Sequence, residues 1–164
     1  MRTRTSTFFE VGISYLKTQE NGLDKAVTER YVIDALSFTE GEGAITDEMA
    51  AYISGEFKVK SMSKASYKEI FFSDVDDDDK WYKAKLSFIT IDEKTEKEKR
   101  SNVNYLVQAK SLARALRYID EVMGKTMIDY DVVGLNETKL YDVFEHHAPS
   151  DKKEEKNDDK EEAK

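Results

Sequence analysis

Trp81-Tyr82-Lys83-Ala84-Lys85-Leu86-Ser87-Phe88-Ile89 follows Phe8-Phe9-Glu10-Val11-Gly12-Ile13-Ser14-Tyr15-Leu16 in polarity and order, at a spacing of 73 residues. In each stretch apolar residues alternate with polar or small ones, the period of a half-buried strand. The likeness extends outward. With one extra residue in the intervening turn, Tyr105-Leu106-Val107-Gln108-Ala109-Lys110-Ser111 lies over Tyr31-Val32-Ile33-Asp34-Ala35-Leu36-Ser37. Asp120-Glu121 then lies over Asp47-Glu48, Tyr130-Asp131-Val132 over Phe57-Lys58-Val59, and Val143-Phe144 over Ile70-Phe71, all at 73 again. Matches that keep their order through strand, strand, helix, strand and strand mark an internal repeat.

The pattern predicts an α+β fold of mostly antiparallel sheet, built from two tandem ββαββ repeats at about 5–73 and 80–145. Together they are expected to form a single globular unit over residues 1–149. Asn21-Gly22 supplies a tight turn between the first two strands. Thr46-Asp47-Glu48 reads as the opening of a short first helix holding Met49, Ala50 and Ile53, stopped by Gly55 and preceded by a mobile Gly-Glu-Gly loop at 41–43. The stretches 56–62 and 66–72 read as a second hairpin. Residues 110–123 form a stronger helix, with Leu112, Leu116, Ile119 and Met123 on one apolar stripe and Gly124 as its stop. A unit of about 70 residues is close to the lower limit for a self-sufficient core, so two fused copies would cover each other.

Composition sets the class. The chain has 164 residues, 39% of them hydrophobic and 11% aromatic, which is too apolar for a fully disordered chain. Cysteine is absent, excluding disulfides, thiolate metal sites and cysteine nucleophiles. No apolar run reaches the roughly 18 residues of a membrane span, and the start reads unlike a signal peptide, so a cytoplasmic protein with no membrane partner is expected. Net charge is −8, of which −2 falls on residues 151–164, a stretch of 7 acidic and 5 basic residues. That stretch has no apolar side chain larger than Ala, and residues 150–164 read as a disordered charged tail.

Several phrases are distinctive: Tyr67-Lys-Glu-Ile-Phe-Phe-Ser-Asp74, Lys80-Trp-Tyr-Lys-Ala-Lys85, Thr90-Ile-Asp-Glu-Lys-Thr-Glu-Lys-Glu-Lys-Arg100 and Thr126-Met-Ile-Asp-Tyr130. In these the chain resembles, over about residues 3–145, a family of uncharacterised proteins (a domain of unknown function) from Bacteroidetes bacteria and their phages. The resemblance implies no activity, cofactor or catalytic residue.

Chemistry must therefore be read from the residues. Asp74, Asp76 and Asp78 match positions 1, 3 and 5 of a calcium loop, but Asp79 replaces its glycine and Lys85 its bidentate glutamate. The 73–80 segment reads instead as an exposed acidic loop. His146 and His147 are adjacent and point apart, which suits no chelate. No phosphate loop, nucleophile elbow or zinc spacing occurs, so no cofactor, metal or catalytic residue is expected and an enzyme is disfavoured. One pattern has direction. If Phe57 and Val59 face the core, Lys58, Lys60 and Lys64 face out; if Tyr82, Ala84 and Leu86 face in, Trp81, Lys83 and Lys85 face out. Lys68, Lys97, Lys99 and Arg100 extend the set. Lysines beside an aromatic ring on a strand neutralise phosphates and offer a stacking platform, so the expected function is a non-enzymatic single-stranded nucleic-acid binder. Outward lysines also block edge-to-edge aggregation. The alternatives are a protein–protein adaptor or homo-oligomerising module using exposed strand edges, and a small enzyme with a pocket between the repeats.

Overall fold

The computed structural model describes residues 1–146; His147 and the charged tail of residues 150–164 lie outside the described residues. Two long hairpins organise the chain. Strand β2 (Phe8–Thr18) pairs antiparallel with β3 (Asp24–Asp34) from Phe8 opposite Asp34 to Thr18 opposite Asp24. Strand β6 (Lys80–Ile91) pairs in the same way with β7 (Glu98–Ala109), with Trp81 opposite Gln108 and Ile91 opposite Glu98. In the first turn only Gly22 takes a left-handed conformation, at φ 79°. In the second turn, one residue longer, Glu96 takes that role at φ 52°, a conformation that costs a side-chain-bearing residue.

Around these hairpins lie β1 (Arg2–Arg4), α1 (Phe38–Ala50), β4 (Phe57–Lys64), β5 (Tyr67–Phe72), α2 (Leu112–Met123), β8 (Asp129–Glu137) and β9 (Leu140–Phe144). The fold is α+β, and most of its pairings are antiparallel. The first sheet has the order β4-β2-β3-β9 and the second β1-β5-β7-β6-β8. The two halves thus share one element order and one pairing scheme, with an exchange: the last strand of each half completes the sheet of the other. β5 runs parallel to β7, and β9 runs parallel to β3. Irregularities recur at matching places. The β2–β4 register shifts between Gly12 and Ile13, and the β6–β8 register between Lys85 and Leu86.

The exchange corrects the expected hairpin over 56–62 and 66–72, because β4 and β5 belong to different sheets. The cause is written in Ile70-Phe71-Phe72, which is buried on both faces. Such a run needs neighbours on both edges, which β1 and β7 supply, and cover on both sides, which α2 and the facing sheet supply.

Both helices differ from expectation. α1 begins at Phe38, eight residues before Thr46, after the Ser37 cap, whose hydroxyl accepts from the Glu40 amide at 3.1 Å. The 41–43 stretch is therefore helical, not a mobile loop. A Cβ on Gly41 would lie 2.5 Å from the Met62 methyl and 3.3 Å from the Ala35 Cβ, so the glycine lets α1 approach its sheet. α1 buries Gly41, Ala44, Ile45 and Met49; α2 buries Ala115, Tyr118, Ile119 and Met123. These sets correspond at a spacing of 74, so the helices align one residue away from the Asp47–Asp120 match. On α2, Leu112 is 50% and Leu116 41% exposed rather than in the core stripe, because the helix presents Ala115 and Tyr118 to the sheet.

Three apolar clusters hold the layers. One lies between α1 and the first sheet around Phe9, Ile33 and Ile45, and one between α2 and the second sheet around Leu86, Val107 and Ile119. The third joins the helix-free faces of the two sheets through Phe8, Val32, Ile70, Phe72, Leu106 and Val143.

Candidate functional site

Trp81 belongs to that third cluster. It is 2% exposed and meets Phe72 edge-on, with ring centroids 5.7 Å apart. Strand alternation places it opposite Tyr82, as expected, but the face it occupies is covered by the other sheet. It offers no open stacking platform.

Two and four residues further along the same face, Lys83 and Lys85 emerge into solvent. Lys83 lines a cleft of about 260 Å³ between the sheets, together with Glu10, Arg30, Tyr67, Thr138, Lys139 and Leu140. The exchange builds this cleft: Glu10 and Arg30 come from the first sheet, Tyr67 and Lys83 from the second, and Thr138 and Lys139 from the β8–β9 crossover. The Arg30 Nε lies 3.2 Å from a Glu10 carboxylate oxygen. The Tyr67 hydroxyl is pushed up to about 12, first by burial and then by the negative charge of Glu10, with Arg30 opposing. The cleft carries three cationic side chains and one carboxylate, so it favours an anion.

The remaining expected cations scatter. Lys58, opposite Ser14, lies on the helix-free face of the first sheet, beside a separate hollow lined by Ser14, Leu16, Ala26 and Glu56. Lys60 falls in the β4 bulge, and Lys64 pairs opposite Phe9 on the helix-bearing face. Arg100 is engaged by Asp131 at 2.9 Å and Glu98 at 3.5 Å. Arg30 and Lys139 joined the site unforeseen. Arg30 alternates with Tyr31 in the sequence and so was placeable on the face opposite the core, but only the sheet stacking sets it beside Lys83.

The 73–80 loop is not wholly exposed. Asp78 is 2% exposed and accepts from the Ser73 hydroxyl and the Tyr118 hydroxyl, each at 2.5 Å, with the Arg114 guanidinium at 3.4 Å. Burial would push its carboxyl up, but these hydrogen bonds outweigh it and hold the group below the usual carboxylate range. Asp34, fully buried, accepts from Arg4 at 2.5 Å and from the His146 amide. Arg2 and Arg4 also hold Glu145, clamping β1 to the chain after β9. The His146 ring lies 3.6 Å from Glu40. Among the described residues no group of three or more His, Asp or Glu side chains is placed to hold a metal ion. No helix is long and apolar enough to cross a membrane.

No curated protein and no solved structure matches the chain. Residues 7–146 match the family described as domain of unknown function DUF4494, a span running from just before β2 to just past β9. The matched region thus takes in both repeats and their exchanged strands, and the chain belongs to the DUF4494 family.

Proposed function

We propose that the protein is a non-enzymatic binding protein whose ligand is an anionic chain, single-stranded nucleic acid, held on the polar helix-free faces beside the inter-sheet cleft. The observation that carries this reading is the cleft itself, where Arg30, Lys83 and Lys139 converge against a single carboxylate. Lys85 continues the cationic row along β6, and Lys58 adds a further cation on the facing sheet's helix-free side. Contact is to phosphates, since Trp81 is enclosed, so binding is insensitive to base identity and falls steeply with salt. A cytoplasmic setting in a bacterium or its phage, as the sequence resemblance implies, would supply such strands. The test is fluorescence anisotropy of a labelled oligothymidylate with the full chain at low salt. Saturable binding is expected, and the Lys83→Ala variant should lower the salt slope by about one unit. Absence of binding at low salt overturns the reading.

A protein adaptor is the second reading, and β8 favours it. This edge strand carries no lysine and exposes Val133, whereas the equivalent edge strand β4 is guarded by Lys58, Lys60 and Lys64. Partner pairing on β8 would leave oligonucleotide affinity untouched.

A further inference from the structure

Glu29 occupies a place where the fold accepts valine. It lies opposite Ile13 in the first hairpin, and Val103 lies opposite Leu86 at the equivalent place in the second. Val103 packs against the α2 core. Glu29 is 8% exposed, with Tyr15 donating to one carboxylate oxygen at 2.6 Å and Tyr31 to the other at 2.7 Å. The other buried carboxylates, Asp34 and Asp78, each hold an arginine. Among the described residues Glu29 has no cationic partner within 4.0 Å. Removing a carboxylate from water without a counterion is costly, and the valine in the other repeat shows that the architecture does not need it.

Tyr15 and Tyr31 contact Glu29 directly, and further rings adjoin Tyr31. Tyr31 is stacked with Phe144 at 5.4 Å and lies 5.9 Å from Tyr141, which is 59% exposed. The second sheet fills the corresponding place with a residue of its exchanged strand. Lys68, the counterpart of Tyr141 at the same register shift, lays its ammonium 4.9 Å from the Phe88 ring centroid, and Phe88 is the counterpart of Tyr15. The second sheet thus carries an internal cation over its ring, while the first carries aromatic rings, a buried carboxylate and no cation.

We propose that Glu29, Tyr15, Tyr31 and Tyr141 form a binding site for an organic cation, an alkylammonium or guanidinium group. The carboxylate supplies the counter-charge, the two hydroxyl donors fix its orientation, and the ring faces attract the cation. The hydrogen bond to Glu29, then burial, pushes the Tyr15 hydroxyl up to about 12, so it remains a donor across the physiological range.

Tyrosine ring resonances of the full chain, followed by NMR, test this with three probes: tetramethylammonium, N-acetyl-lysine methylamide and N-acetyl-arginine methylamide. Saturable shifts of Tyr15, Tyr31 and Tyr141 with at least one probe are expected. Preference for tetramethylammonium would identify a quaternary head group as the ligand, and preference for either amino-acid amide a side chain on a peptide. Glu29→Val, which copies the second repeat, should fold with a thermal midpoint at or above that of the wild type and bind at least about tenfold more weakly. Glu29→Gln keeps the shape and should lose affinity likewise. No saturable shift with any probe overturns the proposal. So does a Glu29→Val chain less stable than the wild type with Glu29→Gln binding normally, since the carboxylate would then serve the fold alone.

Discussion

Asp78 shows how one side chain ties the segment between the repeats to α2. Its carboxylate gathers Ser73 from the end of β5 and Tyr118 and Arg114 from the helix. Replacing it by asparagine should cost about 1–3 kcal/mol at neutral pH, because a buried charge-assisted network loses its charge and one of its two acceptor oxygens. The pH dependence follows from the lowered folded-state value. The unfolded chain takes up the proton first as pH falls, so the stabilisation is complete above the unfolded value of about 3.9 and disappears through the lower folded one. Urea midpoints of wild type and Asp78→Asn should therefore converge below about pH 4. Glu145 adds acid lability of the same sign, its carboxyl being held low chiefly by the Arg2 hydrogen bond, against burial, with Arg4 assisting. At this scale the sequence disclosed only part of the site. Alternation with Ala84 and Leu86 gives the face of Lys83 and Lys85, but a strand's period does not say whether the opposite face meets solvent or a second sheet. Trp81 and Lys83 share a face and differ wholly in exposure for that reason. Asp78, one aspartate in a run of four, has no local feature that sets it apart.

Among the elements, the long hairpins were legible because their leading strands keep a two-residue period over residues 9–15 and 82–88. α1 was not, because Gly41 and Gly43 resemble a loop, although Ser37 is an ordinary helix cap three residues before Glu40. The two glycines answer to different causes. Gly41 sits under Met62 and Ala35, whereas a Cβ on Gly43 would have nothing within 4 Å. Gly43→Ala should therefore raise stability by about 1 kcal/mol through helix propensity, while Gly41→Val should lower it by about 1–3 kcal/mol by overpacking. Thermal melts of the two variants decide the matter. β5 was misplaced for a different reason: the run Ile70-Phe71-Phe72 signals burial on both faces, but a linear pattern does not name the neighbour that provides it.

At the level of the whole molecule, the exchange of last strands ties the sheet of each half to the chain of the other. β9 gives Val143 to the cluster that joins the two sheets and stacks Phe144 on Tyr31 of the first half. A chain ending at Lys139 should accordingly lose hydrogen-exchange protection first in β3 around residues 30–33, its parallel neighbour, and not in the adjacent β8. Loss confined to β8 would contradict the pairing. The element order of each half, strand, strand, helix, strand and strand, was readable from the sequence because similar residues recur in order. The exchange was not, because each fourth strand would match its own half and the other half equally well, the two being built alike.

The same pairing has a consequence during synthesis. Arg30 and its partner Leu140 are 110 positions apart in the chain. At translation rates of about 5–20 residues per second, β3 leaves the ribosome roughly 5–20 s before the strand that will lie beside it. For that interval the nascent chain carries an open edge of matched register, and the β9 of a neighbouring chain on the same message fits it as well as its own. Slower translation thus lengthens the time for which that edge stays open.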